Sequence, residues 1–191
     1  LLAKEISERN LNFSIVPYTF NDKPDRFIVA QNIIHEVAKT FPKVKFEKHQ
    51  YDEISPPYRK VFDKWALKLT RQYDIVFFTN GVNLPAPEEA ITINKELAKF
   101  VGTREAPRNY DTQDLERIGI QDIPEYSPFK DVDKRFTAQL YEDEFLLETL
   151  FPLTRSCLGS AEVTDYHEKP CKICYWCEEK YWAFGQYDAV G

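Results

Sequence analysis

The sequence predicts an α/β protein: a parallel sheet with helices on both faces, formed by a single domain over residues 1–191, with a zinc-binding subregion at 152–191. Three observations predict it. Helical and strand-like periodicities alternate from Leu1 to Asn80. The stretch Asp74–Asn80 (DIVFFTN) carries an unbroken apolar run, as suits a strand covered on both faces. All 4 cysteines fall between Cys157 and Cys177.

The first element is the end of an amphipathic helix over Leu1–Arg9. Leu1, Leu2 and Ile6 share a face, and charged residues lie between them. Asn10 is its expected stop. Asn12–Phe20 is rich in β formers and reads as a strand, weakened by Pro17, which has no N–H to give to a ladder. The turn NDKPD (Asn21–Asp25) leads to a helix over Asp25–Thr40, whose apolar face is Phe27, Ile28, Ile33, Ile34, Val37 and Ala38. Phe41–Pro42 ends it. Val44–Tyr51 is a second strand. Pro56–Pro57 opens a helix reaching Tyr73, with Val61, Phe62, Trp65, Ala66 and Leu69 as its stripe. Asp74–Asn80 is the third strand.

The remainder is less regular. A loop after Asn80 leads to a helix over Glu88–Phe100, and Gly102–Gly119 is a long polar connection. Pro124–Pro128 is extended. Asp133–Leu150 is a further helix, which Asp133 is placed to cap.

Composition bounds the function. A net charge of -6 argues against a protein that coats nucleic acid through bulk charge. No apolar run approaches membrane-spanning length, and no charged-then-apolar leader is present, so no membrane partner is expected. With only 6 glycines, none adjacent, the chain carries no Walker or dinucleotide fingerprint. It has neither G-x-S-x-G nor H-E-x-x-H.

The cysteines are spaced C-x13-C-x2-C-x2-C at Cys157, Cys171, Cys174 and Cys177. Four thiolates complete a closed tetrahedral zinc site, and two-residue spacers let a tight turn aim neighbouring sulfurs at one ion. With all four positions taken by protein, such a zinc is structural. Two disulfides and an iron–sulfur cluster are the alternatives. Reduced thiols grouped for a metal suggest the cytoplasm. His167 lies near the thiolates and is a minor alternative ligand; His35 and His49 have no metal-spaced neighbours.

In an open parallel sheet, ligands bind beyond the carboxyl ends of the strands. Thr79–Asn83 (TNGVN) is the best such place, offering Thr79, Asn80, Gly81 and Asn83; a plain strand-end turn is the alternative reading.

The series SPF (Ser127–Phe129), VDK (Val132–Lys134), a helix, LTRSC (Leu153–Cys157) and PCKICYWC (Pro170–Cys177) resembles the C-terminal half of the 7-cyano-7-deazaguanine synthase family of PP-loop ATP pyrophosphatases. GVN at Gly81–Asn83 resembles that family's strand-end motif, and Lys180 and Phe184 match its basic and aromatic positions after the last cysteine. The likeness runs from about Asn12 onward. It departs from the pattern at Lys172, where a glycine is usual, in a longer insert between the first two cysteines, and in lacking a Tyr-Pro-Asp-Cys-Arg run. The resemblance implies an adenine nucleotide alpha hydrolase-like fold and a phosphate loop, Ser-Gly-Gly-x-Asp-Ser, upstream of Leu1. It implies ATP and Mg2+ as substrate and activator, structural Zn2+, and conversion of 7-carboxy-7-deazaguanine and ammonia to the nitrile. Lys134 would then meet phosphate charge, with a helix-surface lysine as the alternative. A homodimer is compatible with this reading. Another PP-loop activity (nucleobase thiolation or amidation) and a non-catalytic zinc-stapled binding module are the competing functions.

Overall fold

The computed structural model describes residues 1–20, 26–52, 125–157 and 169–188, together with 65, 68–69, 71–73, 78–79, 83–87, 90–91, 159 and 164. Most of the helices expected over Pro56–Tyr73 and Glu88–Phe100, and all of Gly102–Gly119, lie outside the described residues. The chain divides into two compact units, one of Leu1–Ser55, Tyr141–Pro170 and Asp188–Gly191, the other of Pro56–Leu140 and Cys171–Tyr187.

The first unit begins with α1 (Leu2–Glu8), which buries Ala3 and Ile6. Asn10 adopts the left-handed conformation (φ 52°), and the Leu11 N–H returns to the Ile6 carbonyl at 3.0 Å. This is the wide closing bond of a Schellman end. Asparagine tolerates that conformation better than most side chains, so the expected stop is realised by this geometry. Ala3, Ile6 and Val44 form a core ringed by Leu2, Leu11, Phe13, Ile15, Val37, Phe41 and Phe46.

Strands β1 (Ser14–Ile15) and β2 (Tyr18–Phe20) pair in parallel with β3 (Lys45–Phe46) and β4 (Gln50–Asp52) respectively. The register steps between the pairs: Ile15 faces Phe46, whereas Tyr18 faces Gln50. Residues 47–49 therefore oppose residues 16–17, a bulge of one residue. Pro17 sits at the break, where its missing N–H costs no ladder bond, and its carbonyl still accepts from Gln50 at 2.9 Å. Each expected strand is thus present but cut in two by the proline and the bulge.

Helix α2 (Arg26–Thr40) joins β2 to β3 and packs on β2 and on a short 3-10 turn at Phe151–Leu153. Its apolar face is narrower than the periodicity suggests, because Ile28 is 59% exposed. Phe27 instead stacks on His49, with ring centroids 4.7 Å apart and planes 8° from parallel, and meets Tyr51 at 4.6 Å.

The second unit contains β5 (Phe78–Thr79), β6 (Glu125–Tyr126), α3 (Lys134–Asp143, which runs past this unit's boundary) and α4 (Tyr175–Phe184). Strands β5 and β6 are parallel, with Phe78 opposite Glu125 and Thr79 opposite Tyr126. The segment expected only to be extended is therefore a short strand. Asp133 caps α3, its carboxylate accepting the Arg135 N–H at 2.8 Å. The helix stops at Asp143, short of the expected Leu150. Phe145 is left-handed (φ 57°), and the bonds from Phe145 N–H to Glu142 and from Leu146 N–H to Tyr141 make a complete Schellman motif.

The architecture is thus mixed helix and short parallel strand pairs. Among the described residues the strands form three separate pairs in place of one continuous sheet. No helix among them is long and apolar enough to cross a membrane.

Candidate metal centre

Helix α4 was not expected from the sequence, and it organises the cysteines. Cys174 is its N-cap residue, with extended backbone (φ -88°, ψ 157°) and no side-chain capping bond. Cys177 lies three residues further on, in the first turn. On a helix that spacing places two side chains on one face, and here that face is at the positive end of the helix dipole, which favours thiolate. Gly185 (φ 68°) ends the helix, its N–H returning to the Tyr181 carbonyl at 2.8 Å.

Ahead of α4, the turn from Cys171 to Cys174 passes through Lys172, which is left-handed (φ 60°). A left-handed turn is where a glycine costs least. Lys172 adopts the conformation anyway, with its ammonium 5.3 Å from the Tyr187 ring. Tyr187 stacks on Tyr181 at 4.7 Å and donates to the Glu178 carboxylate at 3.3 Å. Burial first, and then the Glu178 charge, push its phenol above the usual tyrosine range.

Cys157 follows the 3-10 turn. Its thiol sulfur accepts the Gly159 N–H at 3.3 Å. The N–H groups of Ser156 and Cys157 both donate to Asp188, at 2.8 Å and 3.0 Å to the same oxygen, and Ser156 also reaches the other oxygen at 3.0 Å. Asp188 is buried, at 5% exposure.

The sulfurs of Cys157, Cys171, Cys174 and Cys177 all lie within 4.8 Å of one another. Those of Cys171 and Cys177 are 3.9 Å apart. A zinc–sulfur bond of about 2.3 Å sets a tetrahedral sulfur–sulfur edge of about 3.8 Å, which the Cys171–Cys177 separation matches. All four cysteines are free thiols, so the alternative of two disulfides is not formed. The four cysteines form a group positioned to bind one metal ion.

Thr79 ends β5 and is exposed, Asn83 is buried at 3% exposure, and Asn80 and Gly81 lie outside the described residues, as does His167. Lys134 is not a helix-surface lysine. Its ammonium is 2.7 Å from the Glu179 carboxylate, and the two side chains are 18% and 0% exposed. Glu179 also accepts from the Tyr175 hydroxyl at 3.3 Å, and that hydroxyl accepts the Ala86 N–H at 3.1 Å. Lys180 is buried as well, at 2% exposure. Sequence reading missed Asp188, Tyr175 and Glu179, since no spacing marks a carboxylate that acts on distant backbone. Protein-family models, curated proteins and solved structures were compared with the chain, and none matches it.

Proposed function

We propose that the chain holds a structural zinc ion through Cys157, Cys171, Cys174 and Cys177, and that this zinc-stapled α/β protein carries out ATP-dependent formation of a nitrile on a 7-deazaguanine carboxylate. The observation that carries the metal part is the sulfur geometry, four thiol donors within 4.8 Å of one another. Four protein ligands leave no coordination position for water or substrate, so the ion's role is to hold the segment in shape. Thiolate-only ligation suits zinc, and a single iron is the competing occupant.

The catalytic part rests on the resemblance carried by SPF, VDK, LTRSC and PCKICYWC. In the proposed reaction, ATP adenylates the carboxylate of 7-carboxy-7-deazaguanine with loss of pyrophosphate. Ammonia displaces AMP to give the amide. A second ATP adenylates the amide oxygen with loss of a second pyrophosphate, and departure of that oxygen with AMP, together with the two protons on nitrogen, leaves the nitrile. Such chemistry needs backbone N–H groups and Mg2+ around phosphate, and a pocket that keeps water from the acyl group. Lys134 enters this scheme as a positioning residue for the wall formed by α3 and α4, its ammonium being held by Glu179.

Elemental analysis of the purified full-length protein tests the metal, with one zinc per chain expected; iron or no metal overturns the assignment. Incubation with 7-carboxy-7-deazaguanine, ammonia, ATP and Mg2+ tests the reaction. Accumulation of the nitrile supports it, and its absence from zinc-loaded protein overturns the catalytic reading.

A further inference from the structure

We propose that Asp188 is a positioning residue for the metal centre, fixing the turn that presents Cys157 to the ion; this rests on the metal reading above. Sulfur donors need geometry as well as proximity, and the groups that orient a ligand commonly set its affinity for metal. Cys171, Cys174 and Cys177 are oriented by one short knuckle and the first turn of α4. Cys157 has no helix of its own. Its segment leaves the 3-10 turn at Thr154, whose backbone is extended (φ -84°, ψ 142°). What holds it is the Asp188 carboxylate, which takes both the Ser156 and the Cys157 N–H at 3.0 Å or less. Hydrogen bonds from backbone N–H to an ionised acceptor are the strong kind. Asp188 is 5% exposed, so water competes little for it. From the other side, the Gly159 N–H points at the sulfur. The turn is therefore fixed at its backbone by Asp188 and at its sulfur by Gly159.

The test compares the full-length protein with its Asp188→Asn variant. Asparagine keeps the shape but loses the charge and one of the two acceptor oxygens. Competition against a chelator is expected to show zinc affinity lowered about 10- to 100-fold. The cobalt-substituted variant is expected to lose thiolate-to-metal charge-transfer absorption, as Cys157 leaves the coordination sphere. Glu8→Gln is the control: it neutralises an exposed carboxylate of α1 that pairs with Lys4, and its cobalt spectrum is expected to match the unaltered protein. If Asp188→Asn does not fold, amide hydrogen exchange on the unaltered protein decides. Slow exchange at Ser156 and Cys157 supports the proposal, and exchange at the rate of an open loop overturns it. An Asp188→Asn variant with unchanged affinity and cobalt spectrum overturns it too. Unaltered protein that binds neither zinc nor cobalt overturns the metal reading itself, and this inference with it.

Discussion

Lys134 and Glu179 form an ion pair at 2.7 Å in which the carboxylate has no solvent exposure. Removing one partner of a buried pair leaves an uncompensated charge, which costs far more than the pair contributes. Lys134→Met is therefore expected to lower stability by about 3–5 kcal/mol, measured by urea unfolding. Replacing both, as Lys134→Met with Glu179→Leu, is expected to recover most of that loss. A double variant no more stable than the single one would show that the pair is not the source of the effect.

The proposed zinc would make metal binding part of folding. Cys174→Ser removes one proposed ligand and leaves a residue able to cap α4, so its effect reports on the metal alone. The expected result is loss of bound zinc and a large fall in melting temperature, because binding energy at such a site is folding energy. A chelator added to the unaltered protein is expected to produce the same fall, reversed by adding zinc back.

His49 links stability to pH. Its Nε2 is 2.9 Å from the Thr19 hydroxyl, its ring lies on Phe27, and its buried Nδ1 has no hydrogen-bond partner. Burial lowers its pKa from the ordinary value, so the folded protein favours the neutral ring. The contribution is present above the unfolded value of about 6.5 and is lost as pH falls through the lower folded value, since the unfolded chain takes up the proton first. Urea unfolding at neutral and mildly acidic pH measures it. His49→Phe, which keeps the stack, is expected to flatten the slope in that window.

Phe145 offers a stabilising change. It is 86% exposed and holds a left-handed backbone at the end of α3. Phe145→Gly removes the steric penalty of that conformation and is expected to raise stability by about 1 kcal/mol. Thermal denaturation checks this, and no rise or a fall would mean the phenyl ring makes contacts worth more than the strain.

Much of this was legible where a residue's chemistry is local. Asn10 marked a helix end because it tolerates a left-handed backbone, and Pro17 marked a weak place in a strand because it lacks an N–H. Four cysteines at knuckle spacing implied a cage before any fold was known. What stayed hidden depended on distant partners. Helix α4 escaped notice because it buries Cys177, Glu179 and Lys180, and a face made of thiol, acid and base has no apolar periodicity. Strand β6 is two residues between Pro124 and Pro128, defined only by β5 beside it. The early stop of α3 was masked by a bulky residue, Phe145, in a conformation usually left to glycine, with an apolar run continuing beyond it.

The carboxylate that closes the Ser156–Cys157 turn is 31 residues beyond Cys157. On a ribosome adding about 5–20 residues per second, this cysteine is made roughly 2–6 s before its anchor exists. During that interval the Ser156–Cys157 turn lacks the carboxylate that accepts its two N–H groups. In the order of synthesis, the Ser156–Cys157 turn is thus completed only after the segment carrying Cys171, Cys174 and Cys177 has been made.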